Sequence, residues 1–175
     1  MKQNKVIQVI LDKFCKKPTR IEFSVEGKPP KKTKPSLWSK DNKQIESVFK
    51  LRQKAYETSK EKGLEEEFHD PVKLTLTIYD YNPIIRKDKE DYLGDLDGLV
   101  GGVYDALQPS PPDGENGLDV DPKFKEENGI NHKNALIIGD DAQISTTVSS
   151  KRKINKNEKP YYTVLIEKDY DFNGC

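Results

Sequence analysis

The stretch VKLTLTIYDY at residues 72–81 alternates apolar and polar side chains, with apolar residues at every second position from Val72 to Ile78. A period of two predicts a strand with one face buried and the other in water. The stretch RIEFSVEG at 20–27 alternates in the same way. These two segments predict a sheet whose core-facing side is apolar, and the chain needs further elements to cover that side.

Two segments predict helices that could cover the apolar side of the sheet. Residues 41–62 carry apolar side chains at helical spacing, with Asp41 expected as the N-cap and Gly63 at the C-terminal end. A second helix is predicted within GDLDGLVGGVYDAL at 94–107. Residues 3–15 have the spacing of a short amphipathic helix, although the VIQVIL within them also fits a strand.

The C-terminal third predicts more strands. ALIIGDDAQISTTVSSK at 135–151 predicts an apolar strand, a tight turn at Gly139–Asp140 and a second strand, and YYTVLIEKDY at 161–170 predicts the last one. Residues 108–134 show no apolar periodicity and predict a long mobile loop. The expected fold is α/β, of the α+β kind, with a single small mixed β-sheet and helices packed mainly on one face.

Composition restricts the class of protein. The chain has 175 residues, of which 33% are hydrophobic and 34% charged, and this suits one soluble domain. No run approaches the roughly 18 apolar residues that span a bilayer, and no secretory signal is expected. The only cysteines, Cys15 and Cys175, suggest neither a disulfide framework nor a metal pair. We expect a cytoplasmic protein without a membrane partner.

The net charge is zero, but basic and acidic residues are distributed unevenly along the chain. Residues 1–60 hold 16 basic and 6 acidic side chains, whereas residues 61–175 hold 14 and 24. A polyanion-binding surface beside a carboxylate-lined site would produce this pattern, as would solvated faces that segregate by chance. Residues 28–40 include five lysines and Trp38. The lysines suit phosphate groups, and Trp38 either stacks on a base or packs in the core.

Four aspartates follow predicted elements. Asp95 and Asp97 lie at the start of the second helix, and Asp140 and Asp141 lie at a turn between strands. Two interpretations stay open: the carboxylates cap the helix and the turn, or they hold Mg²⁺ or Mn²⁺, which prefer oxygen ligands. A bound divalent ion would polarise a phosphoryl group.

Three glycines accompany the first pair of acids. Gly98, Gly101 and Gly102 each cost helix stability relative to alanine, by roughly 0.5–1 kcal/mol. Their presence in one short helix indicates either the close approach of another backbone, from a partner helix or nucleic acid, or a frayed helix.

The order of these motifs resembles the RusA type of Holliday junction resolvase. GDLDGLVGGVYDAL followed by ALIIGDDAQI is similar to the family's paired acidic motifs, in which the first helix ends in Asp-Ala-Leu. RIEFSVEGKPPKKT at 20–33 resembles the family's first strand and the proline loop after it, and PVKLTLTIY at 71–79 resembles the strand before the acids. The resemblance divides the chain into an N-terminal helical extension (1–19), a RusA-like nuclease domain (20–168, with the insert at about 108–134) and an acidic tail (169–175).

The resemblance implies a homodimeric, Mg²⁺-dependent endonuclease that cleaves branched DNA such as Holliday junctions during recombination or repair. It implies catalytic and metal-binding roles for Asp95, Asp97 and Asp141, with Asp140 beside them as a further metal ligand. The residues expected to contact DNA are basic and lie in the proline loop and after the second acidic motif: Lys31, Lys32, Lys34, Lys151 and Arg152.

The sequence departs from the family at two positions of the first motif. Gly98 replaces the family's asparagine and Gly101 replaces its catalytic lysine. The alternative is therefore a junction-binding protein of the same fold with weakened or lost catalysis. A calcium module is a further alternative, since DYDFNG at 169–174 matches the opening of an EF-hand loop. No closing glutamate follows it.

Overall fold

The structure is a computed structural model that describes residues 18–34, 36–83, 94–124, 130–134 and 136–170. Within these ranges the chain forms four strands and two helices, joined by 3₁₀ turns. In chain order they are β1 (Arg20–Glu26), α1 (Ile45–Lys62), β2 (Val72–Asp80), α2 (Leu96–Leu107), β3 (Ile144–Lys153) and β4 (Tyr161–Lys168). The helix predicted at 3–15 and residues 171–174 of the EF-hand-like tail lie outside the described residues.

The sheet has the order β1-β4-β2-β3. The β2–β3 pair is parallel and the other two pairs are antiparallel, so the predicted mixed sheet is confirmed. Phe23, Val164 and Leu76 lie in register across three strands and are all buried. The two helices cover this apolar face, as expected from the alternation in β1 and β2.

Trp38 belongs to the same core. It is 5% exposed and meets the ring of Phe124 edge-on at 4.9 Å. Its packing in the core excludes it as an exposed surface for a stacked base. No helix in the described part of the chain has the length and apolar character that crossing a membrane requires.

The first turn of α1 differs from the prediction. The helix begins at Ile45 rather than after Asp41, because two local side-chain bonds form turns there. The Ser39 hydroxyl accepts from the Asp41 N–H (3.2 Å), and the Asn42 side-chain oxygen accepts from the Gln44 N–H (2.8 Å). Such bonds compete with helical hydrogen bonding. The C-terminal end agrees, since Gly63 has φ +71°.

The strand predicted from the apolar run at 135–138 is wrong. Ile137 and Ile138 are fully buried, but the described residues 136–138 make only an isolated bridge, between Ile138 and Phe68. A 3₁₀ turn at Asp141–Gln143 follows, and β3 starts directly after it. The apolar run fills the core without joining the sheet, a difference that hydrophobicity alone does not reveal.

The predicted loop at 108–134 also packs more closely than its composition indicates. Val120, Phe124 and Ile130 are each at most 5% exposed. The described part of this insert therefore covers the core on the side of α1 where Phe49 stacks on Phe124.

A buried guanidinium attaches the insert to both helices. Arg52 of α1 is fully buried and donates through Nη1 to the carbonyl oxygens of Ala106 (2.7 Å) and Gln108 (2.6 Å). Its Nε donates to Nδ1 of His132 (2.8 Å), and Nη2 donates to the carbonyl oxygens of His132 and Asn134, both at 3.2 Å. Burial lowers the pKa of Arg52 to about 9, so it remains charged at neutral pH and faces the negative end of α2.

His132 makes the fold sensitive to acid. Burial and the adjacent Arg52 charge lower the pKa of His132 to about 4. The unfolded chain therefore binds one more proton than the folded chain between about pH 6.5 and pH 4. We expect His132 to make the free energy of unfolding fall through this window as pH is lowered, by on the order of 3 kcal/mol.

Urea unfolding of the wild type, His132→Gln and His69→Gln at several pH values tests this. His132→Gln should be less stable at pH 7 but should lose less stability on acidification. His69, which is exposed, serves as the control and should leave the pH dependence unchanged. Equal pH dependence in the two variants would contradict the assignment.

Candidate functional site

The proline loop lies directly on the glycine face of α2. The Lys32 N–H donates to the carbonyl oxygen of Gly98 at 2.8 Å. A Cβ atom on Gly102 would lie 2.6 Å from the Pro30 carbonyl carbon and 2.8 Å from that of Lys31, too close for any side chain. The close approach that the glycines predict is thus present. The approaching backbone is the chain's own loop, rather than a partner helix or nucleic acid.

Gln44 holds the loop from the other side. Its side-chain oxygen accepts from the Lys31 N–H (2.8 Å), and its side-chain amide donates to the Lys31 carbonyl (3.0 Å) and to the Thr33 hydroxyl (3.2 Å). Both backbone groups of Lys31 are therefore satisfied by one side chain. Together with the Gly98 bond, these contacts fix the position of the lysines relative to α2.

The side chain of Lys31 extends across the start of α2. A Cβ atom at Gly94 would meet its Cδ at 3.2 Å, and a Cβ at Gly98 would meet its Cε at 3.4 Å. Lys151 of β3 reaches the same point and donates from Nζ to the Gly94 carbonyl oxygen (2.5 Å). Gly94 has φ +115°, a conformation that favours glycine.

The charges around Lys151 show which groups surround it. Burial is the largest influence and lowers the pKa of Lys151, Asp95 opposes this shift, Lys31 adds to it, and Asp80 opposes it. Two lysines and the carboxylate of Asp95 are therefore close together at the N-terminal end of α2.

Asp95 and Asp97 are both exposed, but they occupy different positions relative to α2. Asp95 occupies the N-cap position of α2 with extended backbone angles, yet its side chain makes no capping hydrogen bond. Asp97 lies within the helix, where side chains two residues apart are rotated by about 200° around the helix axis and therefore point to nearly opposite sides. Side chains two residues apart share a face only in an extended segment, and α2 begins at Leu96, between the two acids.

The second pair of acids lies at the other end of α2. Asp140 caps the 3₁₀ turn, because its side chain accepts from the Ala142 N–H at 2.7 Å and Gln143 completes the capping box. Asp141 is exposed, and its charge adds to burial, the larger cause, in raising the pKa of both Asp105 and Tyr104. The structure thus supports capping for Asp140 and places Asp141 near Asp105 of α2, whose like charge it repels.

Asp105 is the acid that the sequence analysis missed. It is half-buried, and burial raises its pKa although the Lys32 ammonium lies 3.3 Å from its Oδ1 and opposes that shift. The adjacent Tyr104 hydroxyl is bonded to the Thr147 hydroxyl of β3. The position of Asp105, four residues after Gly101 on the same helical face, is the signal that points to it.

Lys32 occupies the space beside Gly101. A Cβ atom at Gly101 would lie 3.1 Å from Cδ of Lys32. The position where the RusA pattern has a lysine is therefore covered by a lysine from the loop. A lysine introduced at position 101 would have to displace Lys32 before it could add a second charge there.

Acids and lysines are therefore distributed along α2 in two groups. Asp95 and Asp97 lie with Lys31 and Lys151 at its start, and Asp105 and Asp141 lie with Lys32 near its end. Eight residues separate Asp97 from Asp105, or about 12 Å along a helix. Of the other predicted DNA contacts, Lys34 is exposed in the loop, and Arg152 is exposed on the opposite face of the sheet.

This distribution does not fit a metal ion. In the described ranges, no three side chains among His, Cys, Asp and Glu are grouped so that they could hold one. The predicted set of Asp95, Asp97, Asp140 and Asp141 is accordingly not gathered at one point.

Comparison with known proteins assigns this chain to no family. No protein-family model matches the chain, and no curated protein matches it significantly.

The close contact between α2 and the loop gives a direct stability prediction. Gly102→Ala should destabilise the fold by roughly 1–3 kcal/mol, because its Cβ meets backbone atoms that cannot move aside cheaply. Gly98→Ala is the matched control, because its Cβ meets only the flexible Lys31 side chain and alanine favours a helix by about 0.5–1 kcal/mol. Chemical denaturation measures both, and equal stabilities would refute the packing described here.

Proposed function

We propose that this chain is a DNA-binding protein that holds the phosphate backbone of branched DNA on the lysines along α2. The observation that carries the proposal is the placement of Lys31 and Lys32 across the glycine face of α2 by a loop fixed at both sides. Ammonium groups held by an ordered backbone bind phosphates without ordering the loop first, which lowers the entropic cost of binding.

The charge balance at the start of α2 supports the same conclusion. Lys31 and Lys151 converge on Gly94 beside Asp95, and Lys34 adds an exposed ammonium to the loop. Asp97 is exposed and makes no hydrogen bond or ion pair with a described residue. Its carboxylate would repel a phosphate, so a pure binding function predicts that its removal strengthens binding.

The preference for branched DNA comes from the motif resemblance to RusA-type resolvases, and so does a homodimer. A two-fold dimer would present two such lysine groups to a four-way junction, whose arms are related by an approximate two-fold axis. Sedimentation of the protein with and without a junction distinguishes this dimer from a monomeric binder.

Fluorescence polarisation with a labelled four-way junction in EDTA tests the binding function. Affinity should fall steeply as salt rises, because phosphate contacts release counterions. Lys31→Met should weaken binding and reduce the slope of log affinity against log salt by about one. Lys62→Met, an exposed lysine in the last turn of α1, is the matched control and should bind like the wild type. Equal effects of the two substitutions would contradict a site on α2.

An Mg²⁺-dependent endonuclease is the second candidate, because it is the activity that the resemblance of GDLDGLVGGVYDAL and ALIIGDDAQI to the RusA-type motifs implies. Incubating the junction with Mg²⁺ or Mn²⁺ separates the candidates. If the chain cleaves, Asp97→Asn should abolish cleavage and leave binding largely intact. If it only binds, no product forms with either metal and Asp97→Asn binds the junction more tightly than the wild type.

A further inference from the structure

Two tyrosines form a stacked pair on the face of the sheet that the helices leave open. Tyr79 of β2 and Tyr161 of β4 lie directly opposite each other in register, with ring centroids 4.4 Å apart and ring planes within 9° of parallel. Both side chains are only half-buried. Each ring uses one face for its partner, and the arrangement leaves the second face of each ring unstacked by any aromatic ring of the described chain.

Basic side chains surround this pair. Arg152 lies opposite Tyr79 in the β2–β3 register, and the chain from there to β4 adds further exposed cations. We call this group the basic rim; its members are Arg152, Lys156 and Lys159. Two acids lie near these cations: Glu26 pairs with Lys159 (3.0 Å), and Glu158 accepts from the N–H and the side chain of Asn155.

The basic rim is continuous with the lysines of α2 through a single strand. Adjacent residues of β3 point to opposite faces of the sheet, so Lys151 is directed to α2 and Gly94 while Arg152 is directed to the open face. β3 is an edge strand of the sheet, so no further strand of the sheet covers its outer side. One nucleic-acid strand that passes over the end of β3 can therefore contact both groups.

We propose that Tyr79 and Tyr161 are a stacking site for an unpaired base of the nucleic acid whose phosphates lie on the basic rim. The inference rests on the proposed DNA-binding function and deepens it, since it names the substrate class: DNA with unpaired nucleotides. An aromatic ring stacks on a base only when a face of that base is accessible, and in a duplex both faces are covered by neighbouring base pairs.

Binding of two labelled probes in EDTA tests the inference: a single strand of fifteen thymidines and a hairpin duplex with a similar number of phosphates. Tyr79→Leu and Tyr161→Leu should each weaken single-strand binding by roughly tenfold and leave duplex binding unchanged. Tyr79→Phe should retain wild-type affinity, because it keeps the ring. Tyr56→Leu, a half-buried tyrosine on α1, is the control and should change neither affinity.

A second readout does not depend on affinity. A 2-aminopurine in the single strand should lose fluorescence on binding the wild type through stacking, and much less so on binding Tyr79→Leu at saturating protein. Equal affinities and equal quenching in wild type and leucine variants would overturn the stacking site and leave the lysine site intact. Failure of both probes to bind the wild type would overturn the proposed function together with this inference.

Discussion

The contact between the Pro30 backbone and Gly102 determines the functional surface. Only a residue without a side chain permits this approach, and the Lys32 N–H then reaches the Gly98 carbonyl of the same helix. Everything else at the site follows from it: Lys31 lies along the start of α2, and Lys32 lies beside Gly101 and reaches Asp105. The glycines of α2 are therefore explained by packing within the chain, and the basic loop and the acidic motif become one surface.

A second constraint comes from the interior. Arg52 is buried and has no carboxylate partner among the described residues. Its donors are satisfied by carbonyl oxygens of α2 and the insert and by the ring of His132. Removing the guanidinium would leave several buried acceptors without donors, which usually costs more than a lost contact. Arg52 thereby fixes the C-terminal end of α2, just as the proline loop fixes its glycine face. The helix that carries the acids is held at both places by the chain itself.

Much of the fold was predictable from the sequence because local patterns decide it. The alternation in β1, β2 and β4 and the glycine that ends α1 require no tertiary information. The start of α1 was misplaced because Ser39 and Asn42 form turns that compete with helical bonds. The run at 135–138 was misassigned because burial in a core and membership of a sheet produce the same hydrophobic signal.

The site was less predictable, for geometric reasons. Sequence order identified Lys31, Lys151 and the exposed acids. It did not show that Asp97 already lies within a helix, which turns its side chain away from that of Asp95. Nor does sequence order show that Lys32 crosses to Gly101 and Asp105, because these residues lie 69 and 73 positions after it. The metal-binding hypothesis depended on a convergence of four aspartates that the described residues do not form.

The central claim is that Lys31, Lys32 and Lys151 bind phosphate from fixed positions along α2. The most direct measurement is an NMR titration of the ¹⁵N-labelled lysine ammonium groups with a four-way junction in EDTA. The Nζ resonances of these three lysines should shift together and saturate with the junction, while that of Lys62 stays in place. Shifts confined to lysines away from α2, or uniform small shifts of all of them, would contradict the central claim.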